Sequence, residues 1–280
     1  MFIIDSPGQT CNRFWSYLDT IGYAIKNNKK VYIASWDPSI KYFNNLRKSK
    51  YTLFPLYSQL GIQLLGEKKY LRLAKKLTTN KISRKIYHTL NIQIINGWDY
   101  RASYKYFPLE KETIKNIYRP NLNICKDVEA IFTNYKEKGY FIIGVHIRRG
   151  DYKDWENGKY YFELNEYAFQ MAELLKIFPD KKVVFFISTN EADLGNYFDK
   201  LNTFKIEHAT VAHDLYALSM CDRIIGPLST FSRWASFYGN VPLRFIERNK
   251  LIKSDSEFSV IHSFYQFQNG NKIPNLTDKV

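Results

Sequence analysis

The run Tyr140–Ile147, YFIIGVHI, constrains this chain more than any other stretch. It is apolar and β-branched with no polar alternation, and Gly139 and Gly150 bracket it. A strand with one wet face would alternate, so this run reads as a strand covered on both faces, the mark of a parallel sheet between helices. Its end is abrupt: His146, then Arg148, Arg149, Gly150 and Asp151. In open α/β sheets ligands bind just beyond the carboxyl ends of the strands. Two guanidinium groups there suit an anion, each offering a planar fork of donors that matches phosphate oxygens. Solvated arginines at a strand end are also common, and the triplet Arg149-Gly150-Asp151 is too short to signify adhesion.

The same grammar runs through the rest of the chain. Phe2–Asp5 reads as a strand, Ser6–Gln9 as a turn, and residues 10–28 as a helix with Phe14, Tyr17, Leu18, Ile21 and Ile25 on one face. Lys30–Ala34 supplies the second strand. The helix start after Gly8 is either a plain β-α turn or a place for an anion. Residues 66–90 carry basic helical pieces such as KKYLRLAKKL. These are either a solvated face over a core stripe or an amphipathic helix on an anionic membrane surface. Ile92–Ile95 is a further strand, and Gly97–Arg101 after it holds aromatic and acidic side chains suited to a sugar or to packing.

Beyond a helix at 126–138 closed by Gly139, strand and helix keep alternating. Helices are expected at 163–177, 191–200, 213–220 and 230–238, and strands at 183–188, 204–207, 223–226 and 243–246. This predicts a doubly wound α/β domain, and 280 residues suffice for one large domain or two of ordinary size. Ser229 and Thr230 stand between a strand and a helix, where they are N-cap candidates whose amides and hydroxyls also suit a phosphate.

Composition narrows the partners only coarsely. A net charge of +14 favours phosphate-bearing ligands, nucleic acid and anionic membranes alike. Cys11, Cys125 and Cys221 are odd in number and widely spaced, which argues for a reducing compartment and against a zinc site. The opening MFIID lacks the basic and long apolar regions of a signal peptide, and no run approaches the roughly 18 apolar residues of a spanning helix. The expectation is a cytoplasmic protein, with peripheral contact at the inner membrane face as a secondary option.

HIRRGDY resembles the signature of the α1,2-fucosyltransferase family and of its α1,6- and protein O-fucosyltransferase relatives, whose arginine motif binds the diphosphate of GDP-fucose. Two other segments are similar to that family in the same order. GQTCNRF shares Gly8, Asn12 and Phe14 with its opening GGxGNQxFQY, with Arg13 in place of a glutamine. Residues 213–239 are similar to its later motif, an Asp-containing helix, a short strand and an STFSWW-like helix start, with Arg233 in place of a tryptophan.

The resemblance implies a GT-B-like glycosyltransferase that moves L-fucose from GDP-fucose to an acceptor glycan with inversion. It implies an α/β fold of two Rossmann-like lobes, residues 1–135 facing the acceptor and residues 136–280 binding the nucleotide. Gly8, Asn12, His146, Arg148, Arg149, Asp214, Ser229, Thr230 and Ser232 are the implied donor-binding residues. Arg148 and Arg149 would stabilise charge on the departing GDP. Asp151, Asp154 and Glu156 are candidate bases by nearness in sequence, Asp151 being equally suited to hold an arginine in place. No metal and no cofactor besides the donor is expected, since the chain has no DxD-type metal motif. A transferase of another GDP-sugar, a non-catalytic sugar-nucleotide binder and a basic nucleic-acid-binding protein are the alternatives. The last lacks a binding motif and fits the apolar parallel strands less well.

Overall fold

The computed structural model describes residues 2–4, 8–90, 94–95, 110–263, 267–268 and 271–272. The chain forms two compact units, residues 1–121 and 122–280. The boundary expected at 135 would have cut through helix α7 (Leu122–Glu137), which belongs wholly to the second unit. Its buried Phe132 meets Phe186 and Phe204 of the second sheet edge-on, at ring separations of 5.6 and 5.7 Å.

In the first unit, strands β1 (Phe2–Ile3), β2 (Val31–Ile33), β3 (Thr52–Leu53) and β4 (Ile94–Ile95) form a parallel sheet in the order β3-β2-β1-β4. Helix α1 (Thr10–Lys26) follows β1 and buries Phe14, Tyr17, Leu18 and Ile21, the face its spacing predicts. Helices α2 (Asn44–Lys48), α3 (Leu56–Leu65), α4 (Glu67–Thr79), α5 (Lys81–Thr89) and α6 (Lys111–Ile117) complete the described part of this unit. The basic stretch at 66–90 is therefore two helices. Asn80 ends the first and caps the second, its side chain accepting a hydrogen bond from the Ser83 amide. The expected sugar-facing segment Gly97–Arg101, residues 92–93 of the strand expected before it, Asp5 of the expected first strand and Ser6–Pro7 of the turn after it lie outside the described residues.

The second unit alternates as expected, with one exception. Strands β5 (Tyr140–Ile147), β6 (Lys182–Thr189), β7 (Thr203–Phe204), β8 (Arg223–Gly226) and β9 (Leu243–Phe245) are all parallel, in the order β7-β6-β5-β8-β9. Helices α8 (Leu164–Ile177), α9 (Val211–Leu218) and α10 (Thr230–Gly239) cover the sheet, and a short antiparallel pair, β10 (Phe267–Gln268) and β11 (Asn271–Lys272), follows. The exception is 191–200, which forms turns instead of a helix. There Asp193 accepts a hydrogen bond from the Gly195 amide at 2.7 Å and Gly195 takes φ +57°, a local turn that outcompetes the helix.

Strand β5 is central and covered on both sides, as its composition requires. Ile143, Val145 and Ile147 pack with Tyr167, Met171 and Leu174 of α8. On the opposite face Gly144 lets α9 and its following turn approach: a Cβ there would lie 2.7 Å from Leu218 and 2.9 Å from the Cys221 sulfur. The order of strands reverses between β5 and β8, because the chain first winds to β6 and β7 and then crosses back. That reversal opens a crevice at the carboxyl ends of β5 and β8, where doubly wound sheets bind ligands. No described helix is long and apolar enough to cross a membrane.

Candidate functional site

The crevice is built from the exit of β5 and the β8–α10 connection. Gly226 ends β8 so close to His146 that a Cβ on it would lie 2.8 Å from the His146 carbonyl oxygen. Ser229 then caps α10, its Oγ accepting from the Phe231 amide at 3.1 Å. Tyr152, in the loop leaving β5, ties the two sides together by donating to the Leu228 carbonyl at 3.0 Å. The His146 ring lies 5.0 Å from that of Phe231. His146 is 5 % exposed, and its Nδ1 has no hydrogen-bond partner among the described residues. Burial, aided by the nearby Arg148 charge, lowers its pKa to about 3, so the imidazole is neutral.

The two arginines lie just past the end of β5 and turn to different neighbours. Arg148 continues the His146 face. It forks onto Asp151, Nε to Oδ1 at 2.8 Å and Nη2 to Oδ2 at 2.9 Å, and its guanidinium lies 5.8 Å from the centre of the Tyr152 ring. Arg149, its backbone in the αR region at φ −115° and ψ −63°, turns toward the start of α8. There it donates to the Tyr161 hydroxyl at 2.7 Å and pairs with Glu163 at 3.3 Å and Glu191 at 3.6 Å. The two guanidiniums are thus held by separate sets of partners.

The other expected residues divide likewise. Asp151 is the partner of Arg148. Asp154 and Glu156 are exposed, and their carboxylates make no hydrogen bond or ion pair among the described residues. Glu156 lies in a left-handed turn with Asn157 and Gly158, at φ +50°, +56° and +71°. Thr230 opens α10 beside its Ser229 cap. Ser232 is fully buried, and its hydroxyl bonds the Ser229 carbonyl at 3.3 Å. Asp214, on α9, bonds Ser188 of β6, the residue in register with His146. Burial pushes its pKa up to about 7, against the opposing effects of Ser188 and Lys205.

Gly8 and Asn12 lie in the first unit. Gly8 has φ +78°, and the Asn12 amide occupies the space a Cβ would need. Arg13 explains its own place there: it is 3 % exposed, donates to the Gly8 carbonyl at 2.8 Å and pairs with Glu67 at 3.1 Å and Asp37 at 3.7 Å.

The structure adds residues the sequence reading passed over. Tyr152 bridges the crevice, and Tyr161, Glu163 and Glu191 hold Arg149. Buried Arg233 lies under Phe245, with a ring distance of 5.4 Å, and its charge acts on Tyr152. Glu191 had a signal, given the pairing. Strands β5 and β6 run in register from Tyr140 opposite Lys182 to Ile147 opposite Thr189, and continuing that offset brings Arg149 beside Glu191. Among the described residues no three His, Cys, Asp or Glu side chains cluster as metal ligands.

Residues 48–266, more than half the chain, match the family model for glycosyl transferase family 11. The chain belongs to that family. Two of the three segments picked out by resemblance, 140–152 and 213–239, fall inside the matched stretch, and 8–17 falls before it. No curated protein matches this family 11 chain. Among solved structures it is similar to fucosyltransferase NodZ from Bradyrhizobium, with 18 % identity and a TM-score of 0.53, covering 89 % of this chain and 95 % of that one. A crystal of NodZ α-1,6-fucosyltransferase soaked with GDP-fucose gives 17 % identity and 0.52, covering 92 % and 96 %. A mutant of FUT1 from Arabidopsis thaliana in complex with GDP gives 14 % and 0.54, covering 100 % and 79 %. At these identities the likeness shows the fold, a GT-B-like glycosyltransferase fold with Rossmann-like units.

Proposed function

We propose that this glycosyltransferase moves L-fucose from GDP-fucose to a hydroxyl of an acceptor glycan, forming an α1,2 linkage with inversion at the anomeric carbon and without a divalent metal. The second unit holds the nucleotide and the first receives the acceptor. The observation that carries this reading is Arg148, set at the strand-order reversal beside Tyr152 and the capped start of α10. A diphosphate there meets a guanidinium and the positive end of a helix together. NodZ, in a crystal soaked with GDP-fucose, and a FUT1 mutant, in complex with GDP, share the fold.

Transfer breaks the bond between the anomeric carbon and the β-phosphate oxygen, and negative charge grows on GDP as it departs. Arg148 and the first turn of α10 stabilise that charge without moving, because both are fixed before reaction. Arg149 stands behind them, its own charge offset by Glu163 and Glu191. Neutral His146 and Asp214 line the nucleotide side. Asp151 is a positioning residue for Arg148, which leaves exposed Asp154 and Glu156 as the candidates for accepting the acceptor proton.

Donor binding tests the reading without knowledge of the acceptor. Titration calorimetry in EDTA with GDP and with GDP-fucose should give metal-independent binding. Arg148→Ala should weaken it by about 1.5–3 kcal/mol, the range for a hydrogen bond to a charged group. The exposed substitution Lys200→Ala should leave it unchanged. Absence of nucleotide binding to folded protein would sink the proposal. Binding of GDP with no turnover of GDP-fucose across an acceptor screen would favour a different GDP-sugar.

A further inference from the structure

The first unit carries an exposed apolar and basic surface on α3–α5, outside the residues assigned to donor binding. Helix α3 has no charged residue, and Leu56, Leu60 and Leu64 recur on it at four-residue spacing, all exposed, Leu64 by 84 %. It packs on α4 through Gly61, where a Cβ would lie 2.5 Å from the Tyr70 ring, and through a 2.8 Å hydrogen bond from the Tyr70 hydroxyl to Ser58. Helix α4 turns Tyr70, Leu71 and Ala74 inward, yet still exposes Leu73 and Leu77. Helix α5 repeats this, exposing Ile82, Ile86 and Leu90 in one stripe, Ile82 by 75 %. Each of these three successively packed helices thus keeps an exposed apolar line, and exposed apolar surface of this extent marks a contact.

The charge beside those lines says what kind of contact. Residues 66–90 hold eight lysines and arginines and one acid, Glu67, which pairs with Arg13. On α4, Lys69, Arg72 and Lys76 flank Leu73 and Leu77 at helical spacing, and on α5 Lys81 and Lys85 flank Ile82 and Ile86. We propose that the α3–α5 face docks on an anionic lipid bilayer, with the helices lying in the plane of the interface. Leucine and isoleucine enter the boundary between headgroups and acyl chains, and the long basic side chains reach up to the phosphates. A protein partner fits less well, since lysine is depleted from the cores of protein interfaces. A nucleic acid would use the lysines but leave the leucine and isoleucine lines in water.

Co-sedimentation of the full chain with vesicles tests this. Vesicles of phosphatidylcholine mixed with phosphatidylglycerol should bind the protein, vesicles of phosphatidylcholine alone should not, and salt should reverse the binding. Lys76→Ala with Lys85→Ala should weaken binding by about tenfold or more, from the loss of two charges near the surface. Leu64→Ser with Ile82→Ser should weaken it at unchanged charge. All four side chains are exposed, so near-UV circular dichroism should be unaltered in both variants. Equal binding to both vesicle types, or to neither, would overturn the proposal. So would a dimer in sedimentation equilibrium that Leu64→Ser dissociates, which would assign the face to a second copy of this chain.

Discussion

Asp214 loses its proton near pH 4 in an unfolded chain but holds it to about pH 7 in the fold, because burial removes the water that would solvate its charge. The folded state therefore binds more protons than the unfolded state between those values. Stability contributed by this group is complete below pH 4 and is lost as pH rises through 7, by at most about 4 kcal/mol across the window. Asp214→Asn keeps the shape and removes the titration. Thermal melts should show the variant gaining on the parent as pH is raised from 5 to 8, and a constant difference would disprove the assignment. Single residues were unevenly legible. A cap at Ser229 or Thr230 and the placing of Arg148 followed from helix-start and strand-end chemistry, and the structure assigns the cap to Ser229. The separation of Arg149 from Arg148 did not, because it depends on Tyr161, Glu163 and Glu191, which come from other elements.

Elements were legible where local patterns agreed with their surroundings. The run at 140–147 announced a strand buried on both faces, and Gly139, at φ +74°, ends the helix before it as expected. The segment 191–200 misled because its few apolar residues have helical spacing, while Asp193 and Gly195 favour a turn that spacing alone does not register. Gly239 shows the same conflict in reverse. Alanine normally stabilises a helix by about 1 kcal/mol relative to glycine. Here a Cβ would lie 2.0 Å from the Ser219 carbonyl oxygen, since the backbone after α9 passes against the end of α10. That oxygen is backbone and has no side-chain freedom with which to yield. Gly239→Ala should therefore destabilise the protein, by about 1–3 kcal/mol or more, as for other overpacked sites. Urea unfolding of both proteins would measure it, and a stabilised variant would refute the packing argument.

At the scale of the whole molecule, the alternation of elements conveyed a doubly wound α/β fold and the family resemblance two lobes, whereas the boundary depended on which sheet α7 covers, a matter of Phe132 meeting Phe186 and Phe204. The net charge of +14 conveyed an attraction to anions without saying whether it acts through one site or through the general field. Salt separates these possibilities. A single-stranded oligonucleotide held by many dispersed lysines releases a counterion at each phosphate contact, so its affinity should fall by about a thousandfold or more between low and moderate salt. On the proposed reading, GDP in the crevice would be held by a few short contacts to Arg148 and the start of α10, lengths well inside a Debye length of about 8–10 Å. Its affinity should change by less than about tenfold over the same range. Parallel titrations of both ligands against potassium chloride would decide. If GDP and oligonucleotide lose affinity together, the nucleotide is held by the diffuse basic surface, and Arg148 has no special claim on it. If GDP binding persists after the oligonucleotide has dissociated, the fold has concentrated at one sheet edge an interaction that its overall charge merely permits.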